Sequence, residues 1–388
     1  MTRWIASAGA AAVSLDSMVN IAFPAIAAAF TLPPAAMRWV IMFYVFTYSL
    51  VSFAGGALGD RIGHARVFSS GLALSAVAFA LAASAPGFSW LLGARVLQGI
   101  GAGMIYGTAP GLTTLAADPS ARGRALGFFN AVMGVAFIVG PVAAGWLVDV
   151  VGWRAVFTVR VPVALVLLVW AWRALPGAAT VAAAYRRVGV DDVARAPVLH
   201  ACALTFLANG GIFAIWLLAP FYLVQHRGYD ATVGGVFFML TPVGTAIASA
   251  LGGRFADRRG ARLATVFGLV MEAGALLALS GATRTTPAVV VAAALFVSGF
   301  GLGLFQVPNM TALMGAFLAG QQGAAGGLAF MARTLGIVTG VGALSQVFAS
   351  AGARGFEAGF ATAFVVAGAT VGVAAIIAWL STPSPERA

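Results

Sequence analysis

GIGAG at Gly99–Gly103 returns as GFGLG at Gly299–Gly303, the same three-glycine spacing displaced by 200 residues. Around it more of the chain repeats. Pro110 answers to Pro308, and Gly123, Gly127 and Gly140 are echoed at Gly323, Gly327 and Gly340. Asp60, Arg61 and Gly63 reappear as Asp257, Arg258 and Gly260, displaced by 197. So many small and helix-bending residues do not align by chance. The chain is read as two copies of one unit.

Each copy is apolar. Hydrophobic residues make up 61% of the 388 and charged residues only 9%, against roughly half and a quarter in a soluble domain. About a dozen apolar stretches of some 20 residues recur, each long enough to cross a hydrocarbon core of roughly 30 Å as a helix. The net charge of +11 is dealt out between these stretches and does not gather on one face, which argues against a nucleic-acid binder. Fourteen arginines fall at the amino terminus, the even-to-odd loops and the carboxyl terminus, against five in the opposite loops. By the positive-inside rule both termini are then cytoplasmic and the number of spans is even, with twelve fitting best. Asp16 interrupts the first apolar run, so that run is read as a retained helix and not as a cleaved leader.

The expected fold is an all-α membrane protein: twelve transmembrane helices in two pseudo-symmetric six-helix bundles related by an axis along the membrane normal. The bundles are placed at residues 1–175 and 197–388, joined by a cytoplasmic linker at 176–196 that holds Tyr185, Arg186, Arg187, Asp191, Asp192 and Arg195. No GxxxxGK[ST] phosphate loop occurs, so no ATP-driven step is expected and any coupling is to an ion gradient. Cys202 is the single cysteine, which excludes an internal disulfide. Neither a metal nor a cofactor is implied.

The loops and helix ends carry a resemblance. GGALGDRIGHAR at Gly55–Arg66 resembles the loop between the second and third helices of the major facilitator superfamily, and RVLQGIGAG at Arg95–Gly103 its fourth-helix motif. GVAFIVGPVAAG, with Gly134, Gly140, Pro141 and Gly145, is similar to the fifth-helix motif of the drug:proton antiporter branch. LDSMVNIAFP at Leu15–Pro24, WRAVFTVRVP at Trp153–Pro162 and FMARTLG at Phe330–Gly336 resemble that branch's second, QacA/EmrB-like subfamily. Members of that subfamily commonly have fourteen helices; here the short linker stands where an extra central pair would be. The resemblance implies a multi-pass protein of the cell membrane, a monomer whose partners are a small-molecule substrate, protons and the lipid bilayer. It further implies a cytoplasmic gate built on Gly56, Asp60, Arg61, Gly63 and Arg66, with Arg122 and Arg124 as candidate partners of Asp60.

Counting rises of 1.5 Å per residue puts Asp16 and Arg95 at similar depths, roughly 18 and 20 Å from the cytoplasm. An acid at that depth costs on the order of 2.5 to 3.5 kcal/mol on insertion scales, so it faces a cavity or a partner. Asp16 is therefore either the proton carrier or one end of a structural ion pair, and Arg95 either tunes it or ties helices together. Arg160 stands where the subfamily pattern has Asn; it contacts an anionic or zwitterionic substrate, or competes for Asp16. Glu272 is a second protonatable site or a partner of Arg333. Asn20, Tyr48, Asn130, Asn209, Trp216, Gln306 and Asn309, with Arg160 and Arg333, are the candidate substrate-cavity residues. Three functions remain open at this point: a proton-coupled exporter of amphipathic compounds, an importer or facilitator of an anionic or zwitterionic metabolite, and a transport-inactive sensor or scaffold.

Overall fold

In the computed structural model, residues 1–115, 122–175, 190–317 and 322–381 are described. Among them every regular element is helical. In the amino-terminal part these are α1 (Thr2–Ser14), α2 (Ser17–Ile21), α3 (Phe23–Ala29), α4 (Met37–Ile62), α5 (His64–Ala83), α6 (Phe88–Leu115), α7 (Arg122–Val150), α8 (Ala155–Thr158) and α9 (Arg160–Ala174). A short α10 (Val190–Val193) leads into α11 (Ala196–Pro220), which continues as a π-helical turn at Phe221–His226. Then follow α12 (Ala231–Phe238), α13 (Leu240–Arg259), α14 (Ala261–Ser280), α15 (Ala288–Gly315), α16 (Gln322–Ala351) and α17 (Phe356–Leu380). Eleven helices among the described residues are long and apolar enough to span a bilayer, and the pair Thr2–Ile21 and Phe23–Ala29, bent by 60°, makes a twelfth if taken as one broken span. Pro24 lies just past that bend; its ring has no N–H and crowds the carbonyl four residues back. This is an all-α, multi-span membrane protein.

By packing the chain divides into two units, Met1–Ala183 with Leu223–Met239, and Ala184–Tyr222 with Leu240–Ala388. The pairings inside them repeat. In the first unit α4 and α5 both pack on α6, α1 on α7 and α5 on α9; in the second α13 and α14 both pack on α15, α11 on α16 and α14 on α17. Glycine explains why. A Cβ on Gly99 would lie 2.7 Å from Thr47 Cβ and one on Gly103 2.8 Å from Tyr48 O, while Gly299 and Gly303 meet the main chain of Thr241 and Thr245 in the same way. Residues four apart on a helix share a face, so each GxGxG run lets a neighbour approach on that face. The middle glycine serves the opposite face, Gly101 against Gly71 and Ser75, Gly301 against Gly268 and Glu272. Gly63 and Gly260 turn the chain between successive helices at φ +99° and +88°, a region that only glycine enters freely.

The stretch Leu223–Met239 falls in the second sequence copy but packs with the first unit, because α12 lies on α7. Two close approaches allow this. Gly145 sits against Ala231 and Thr232, and Gly235 against Pro141 and Val142. At the same place Asp149 on α7 caps α12: its Oδ1 accepts the Ala231 N–H at 2.9 Å, and its Oδ2 accepts the Thr232 N–H at 2.8 Å and the Thr232 hydroxyl at 2.5 Å. Of the linker, residues 176–189 lie outside those described; the described part forms α10, after which Arg195 pairs with Asp192 and donates to Ala316 O at 3.2 Å.

Replacing Asp149 by alanine removes a carboxylate cap. We expect a loss of about 0.5 to 2 kcal/mol, read as a lower unfolding temperature in detergent, with Asp149→Asn losing less; an unchanged temperature for both variants would show that the cap does not hold α12.

Candidate functional site

Ahead of the 60° bend at Ala22, the first span has a second irregularity, the turn at Leu15–Asp16 between α1 and α2. The Asp16 N–H bonds Val13 O at 3.0 Å, a three-residue closure, instead of reaching back four residues to Ala12 O. That shift leaves Ala12 O open to another donor, and Arg160 Nη2 takes it at 3.3 Å, with Val13 O at 3.4 Å. Helix carbonyls at a C-terminal end carry partial negative charge, which favours a cation there. The irregular turn and the arginine thus belong together.

Asp16 is held by three side chains. Arg95 forks onto it, Nη1 to Oδ1 and Nη2 to Oδ2, both at 2.7 Å. Arg160 Nη1 donates to Oδ1 at 3.0 Å and Gln98 Nε2 to the same atom at 2.7 Å. Gln98 is itself oriented, since its Oε1 accepts Arg95 Nη1 at 2.7 Å. Arg95 Nε donates to Val40 O at 3.1 Å. An aromatic face lies by each guanidinium, Tyr44 under Arg95 at 4.2 Å and Phe79 under Arg160 at 4.1 Å, a placement favoured by the ring quadrupole. Both arginines are 2% exposed, whereas the Asp16 side chain keeps 14%.

Two guanidiniums face one carboxylate, so the cluster carries one formal positive charge in excess. It joins α1, α6 and α9, and through Val40 also α4. A proton at Oδ2 would turn that atom from acceptor to donor, and Arg95 Nη2 would lose its partner. Proton and guanidinium compete for one oxygen.

The second unit does not repeat the cluster. Gly140 packs on Ser17 and Gly340 on Gly210, so Asn209 occupies the place corresponding to Asp16. Where the first copy has Arg95 and Gln98, the second has Leu295 and Ser298. Asn209 donates within its own helix to Thr205 O at 2.9 Å, and its Oδ1 is buried without a hydrogen-bond partner. Asn309 ties α15 to α11, donating to Ala201 O at 3.0 Å and to Thr205 Oγ1 at 2.9 Å, so its amide is engaged in helix packing. Glu272 is fully buried with both oxygens unpartnered, and among the described residues it makes no ion pair with Arg333, which is half-buried.

The other sequence candidates are spread out. Asn20, Trp216 and Gln306 are half-buried, Trp216 stacked on Phe213 at 5.7 Å, and Asn130 is exposed. Tyr48 lies between Tyr44 and Tyr106, ring centroids 5.0 and 5.7 Å away, and the Tyr106 hydroxyl meets Ser14 Oγ at 3.1 Å. In the gate loop Gly63 is buried, Arg61 and Arg66 are exposed, and Gly56 fits against Gly107 O, 3.2 Å from where a Cβ would stand. The side chains of Asp60, Arg122 and Arg124 lie outside the described residues, and with them the pairing expected of Asp60. On α7, Gly140 and Gly145 are close-packed, but a Cβ on Gly134 would meet nothing within 4 Å. Gln98, Tyr44 and Phe79 were not singled out from the sequence. Gln98 had a usable signal, since it lies one turn beyond Arg95 on the same helix face.

Comparison with known proteins agrees with this architecture. Over 97% of the chain and 90% of the relative, the puromycin resistance protein pur8 of Streptomyces alboniger is 27% identical. The riboflavin transporter RibZ of Clostridioides difficile is 22% identical over 86% of this chain and 84% of its own, and the multidrug resistance protein Stp of Mycobacterium tuberculosis 26% over 87% and 74%. Among solved structures, a bacterial homologue of the human lysosomal transporter Spinster superposes with a TM-score of 0.81 at 14% identity, covering 99% of this chain and 98% of that one. A D-xylose–proton symporter gives 0.79 at 16% identity over 98% and 97%. The profile of the Major Facilitator Superfamily matches residues 5–341, and the chain belongs to that family of transporters.

Proposed function

We propose that the protein is a proton-coupled exporter of small amphipathic compounds, working by alternating access in the cell membrane as a monomer with both termini in the cytoplasm. The observation that carries this reading is the Asp16 cluster: a carboxylate within the first span, bonded by two arginines, whose oxygens proton and guanidinium would contest. Proton arrival frees Arg95 from one oxygen, and proton release lets it return. Repacking of α1 against α6 and α9 then follows the state of one acid, and the two halves, residues 1–175 and 197–388, rock around the site. The similarity to a puromycin resistance protein and to the multidrug resistance protein Stp supports export. The GP-containing α7, close-packed at Gly140 and Gly145, is the seal expected of that mode, and Gly56, Asp60, Arg61, Gly63 and Arg66 with Arg122 and Arg124 are proposed as the cytoplasmic gate.

One observation favours a second reading, import or facilitated passage of an anionic or zwitterionic metabolite. Arg160 gives the cluster its excess positive charge, which repels a cation and attracts an anion.

Everted vesicles with an internal pH reporter, challenged with cationic, anionic and zwitterionic compounds, test the coupling. Wild type is expected to move protons when a substrate is added, and Asp16→Asn to lose that response. Because removing one partner of a buried pair costs about 3 to 5 kcal/mol, thermal stability is measured alongside, and the double variant Asp16→Asn/Arg160→Asn, which removes one charge of each sign, serves as the folding control. A folded Asp16→Asn protein that moves protons as wild type does would end the coupling mechanism.

Arg160→Asn separates the two substrate readings. For an exporter of cationic amphiphiles the variant keeps or gains turnover of cations. For an anion carrier that uses Arg160, KM for anions rises roughly tenfold or more, the worth of one hydrogen bond to a charged group.

A further inference from the structure

Glu272 lies at the centre of α14 with no exposed surface, and neither carboxyl oxygen has a hydrogen-bond partner. Its main chain is pressed against α15, where a Cβ on Gly301 would stand 2.5 Å from Glu272 N and 3.0 Å from its Cα. Among the described residues, the elements packed on α14 offer no counter-charge near Glu272. α15 contains no Asp, Glu, Lys, Arg or His at all. On α17 the single charged residue is Glu357, in the first turn and bound to the Arg284 N–H at 2.9 Å. α11 brings His200 and Cys202, both in its first turns. On α13 the charged residues are Arg254, Asp257, Arg258 and Arg259, all in its last turns. On α14 itself Arg262 is ten residues away, roughly 15 Å along the axis, and it is engaged with Trp379 O. An isolated carboxylate in such surroundings would cost far more than its neutral form, and groups so placed neutralise instead.

We infer that Glu272 is a second proton-binding site, in the unit that lacks the arginine cluster, loaded with an exchangeable proton in this conformation and independent of Asp16. This deepens the proton-coupled reading above and rests on it for its part in transport, but the proton itself is a property of the folded protein that needs no substrate. The two acids divide the work by environment. Asp16 is surrounded by donors and Glu272 by none, so one is poised as carboxylate and the other as acid. For Glu272 to release its proton, water must enter between α14, α15 and α17, which couples its ionisation to a change in their packing.

Infrared spectroscopy of the purified protein in lipid tests this without any transport assay. At about pH 8, far above the roughly 4.3 of an unperturbed glutamate, wild type is expected to show the C=O band of a protonated carboxyl. That band should be lost in Glu272→Gln, retained in Asp16→Asn, and shifted to lower frequency in D2O. Absence of a Glu272-dependent band would mean the group is ionised and would overturn the proposal. So would a band that never shifts in D2O, since a sealed proton is structural. Should Glu272→Gln fail to fold, wild type alone decides through dicyclohexylcarbodiimide. The reagent's central carbon bonds to a carboxyl oxygen while the acid's proton passes to a carbodiimide nitrogen, and the acyl group then shifts to nitrogen as a stable N-acylurea. The adduct is expected on the peptide holding Glu272 and not on that holding Asp16; no adduct at Glu272 would overturn the proposal. If wild-type vesicles move no protons while the band is present, the coupled-transport reading fails and the proton site stands.

Discussion

The constraint on which the first unit depends is that a hydrocarbon core supplies no hydrogen-bonding solvent, so every buried polar atom must find its partner inside the protein. Asp16 and its two arginines meet most of that demand together, with Arg160 Nε alone among their polar atoms left buried without a partner among the described residues. The carboxylate accepts four donors from Arg95, Arg160 and Gln98. The guanidiniums in turn use main-chain carbonyls at Ala12, Val13 and Val40. Removing Asp16 leaves two buried guanidiniums without a counter-charge, whereas removing either arginine leaves a one-to-one pair. The irregular turn at Leu15–Asp16 is part of the same solution, because a regular helix would have kept Ala12 O for its own ladder. Local irregularity, ion pairing and the joining of α1, α4, α6 and α9 therefore have one cause.

The duplication is conserved in packing and divergent in chemistry. Glycines at GIGAG and GFGLG meet equivalent main-chain atoms in the two units, and Gly63 and Gly260 adopt the same positive φ. A Cβ at these places would push helix backbones apart, so drift is narrow. The polar positions were freer to change. Where the first copy has Asp16 and Arg95, the second has Asn209 and Leu295, and where the first has Ser75 against the middle glycine, the second has Glu272. Moving the acid from one helix to another changes its surroundings from donor-rich to apolar.

Much of this was legible in the sequence because helices in a bilayer obey simple counting. A fixed rise per residue placed Asp16 and Arg95 at one depth, and they are bonded; spacing revealed the repeat, and equivalent helices pair alike. What was not legible depends on rotation about the helix axis and on tertiary demand. SLDSMVN contains neither glycine nor proline, so nothing local announced the irregular turn at Asp16. Asn309 looked like a cavity residue, but its helix is rotated so that the amide meets α11. Gly134 belongs to a motif rich in small residues, and no neighbour comes near its missing side chain. The Asp149 cap joins residues more than eighty positions apart, beyond any periodicity. Gln98 alone was within reach, by its one-turn spacing from Arg95.

The contrast between the acids also limits what each can sense. At Asp16 a proton enters by displacing a donor, so its binding is tied to the position of Arg95, and through Arg95 to Gln98, Tyr44 and Val40. At Glu272 no donor has to be displaced; what opposes ionisation is the absence of water. The first acid therefore responds to the arrangement of side chains inside one unit, and the second to whether helices packed on α14 have parted. Placing the two acids in different copies of the repeat sets them against different neighbours, side-chain donors around Asp16 and apolar helices around Glu272.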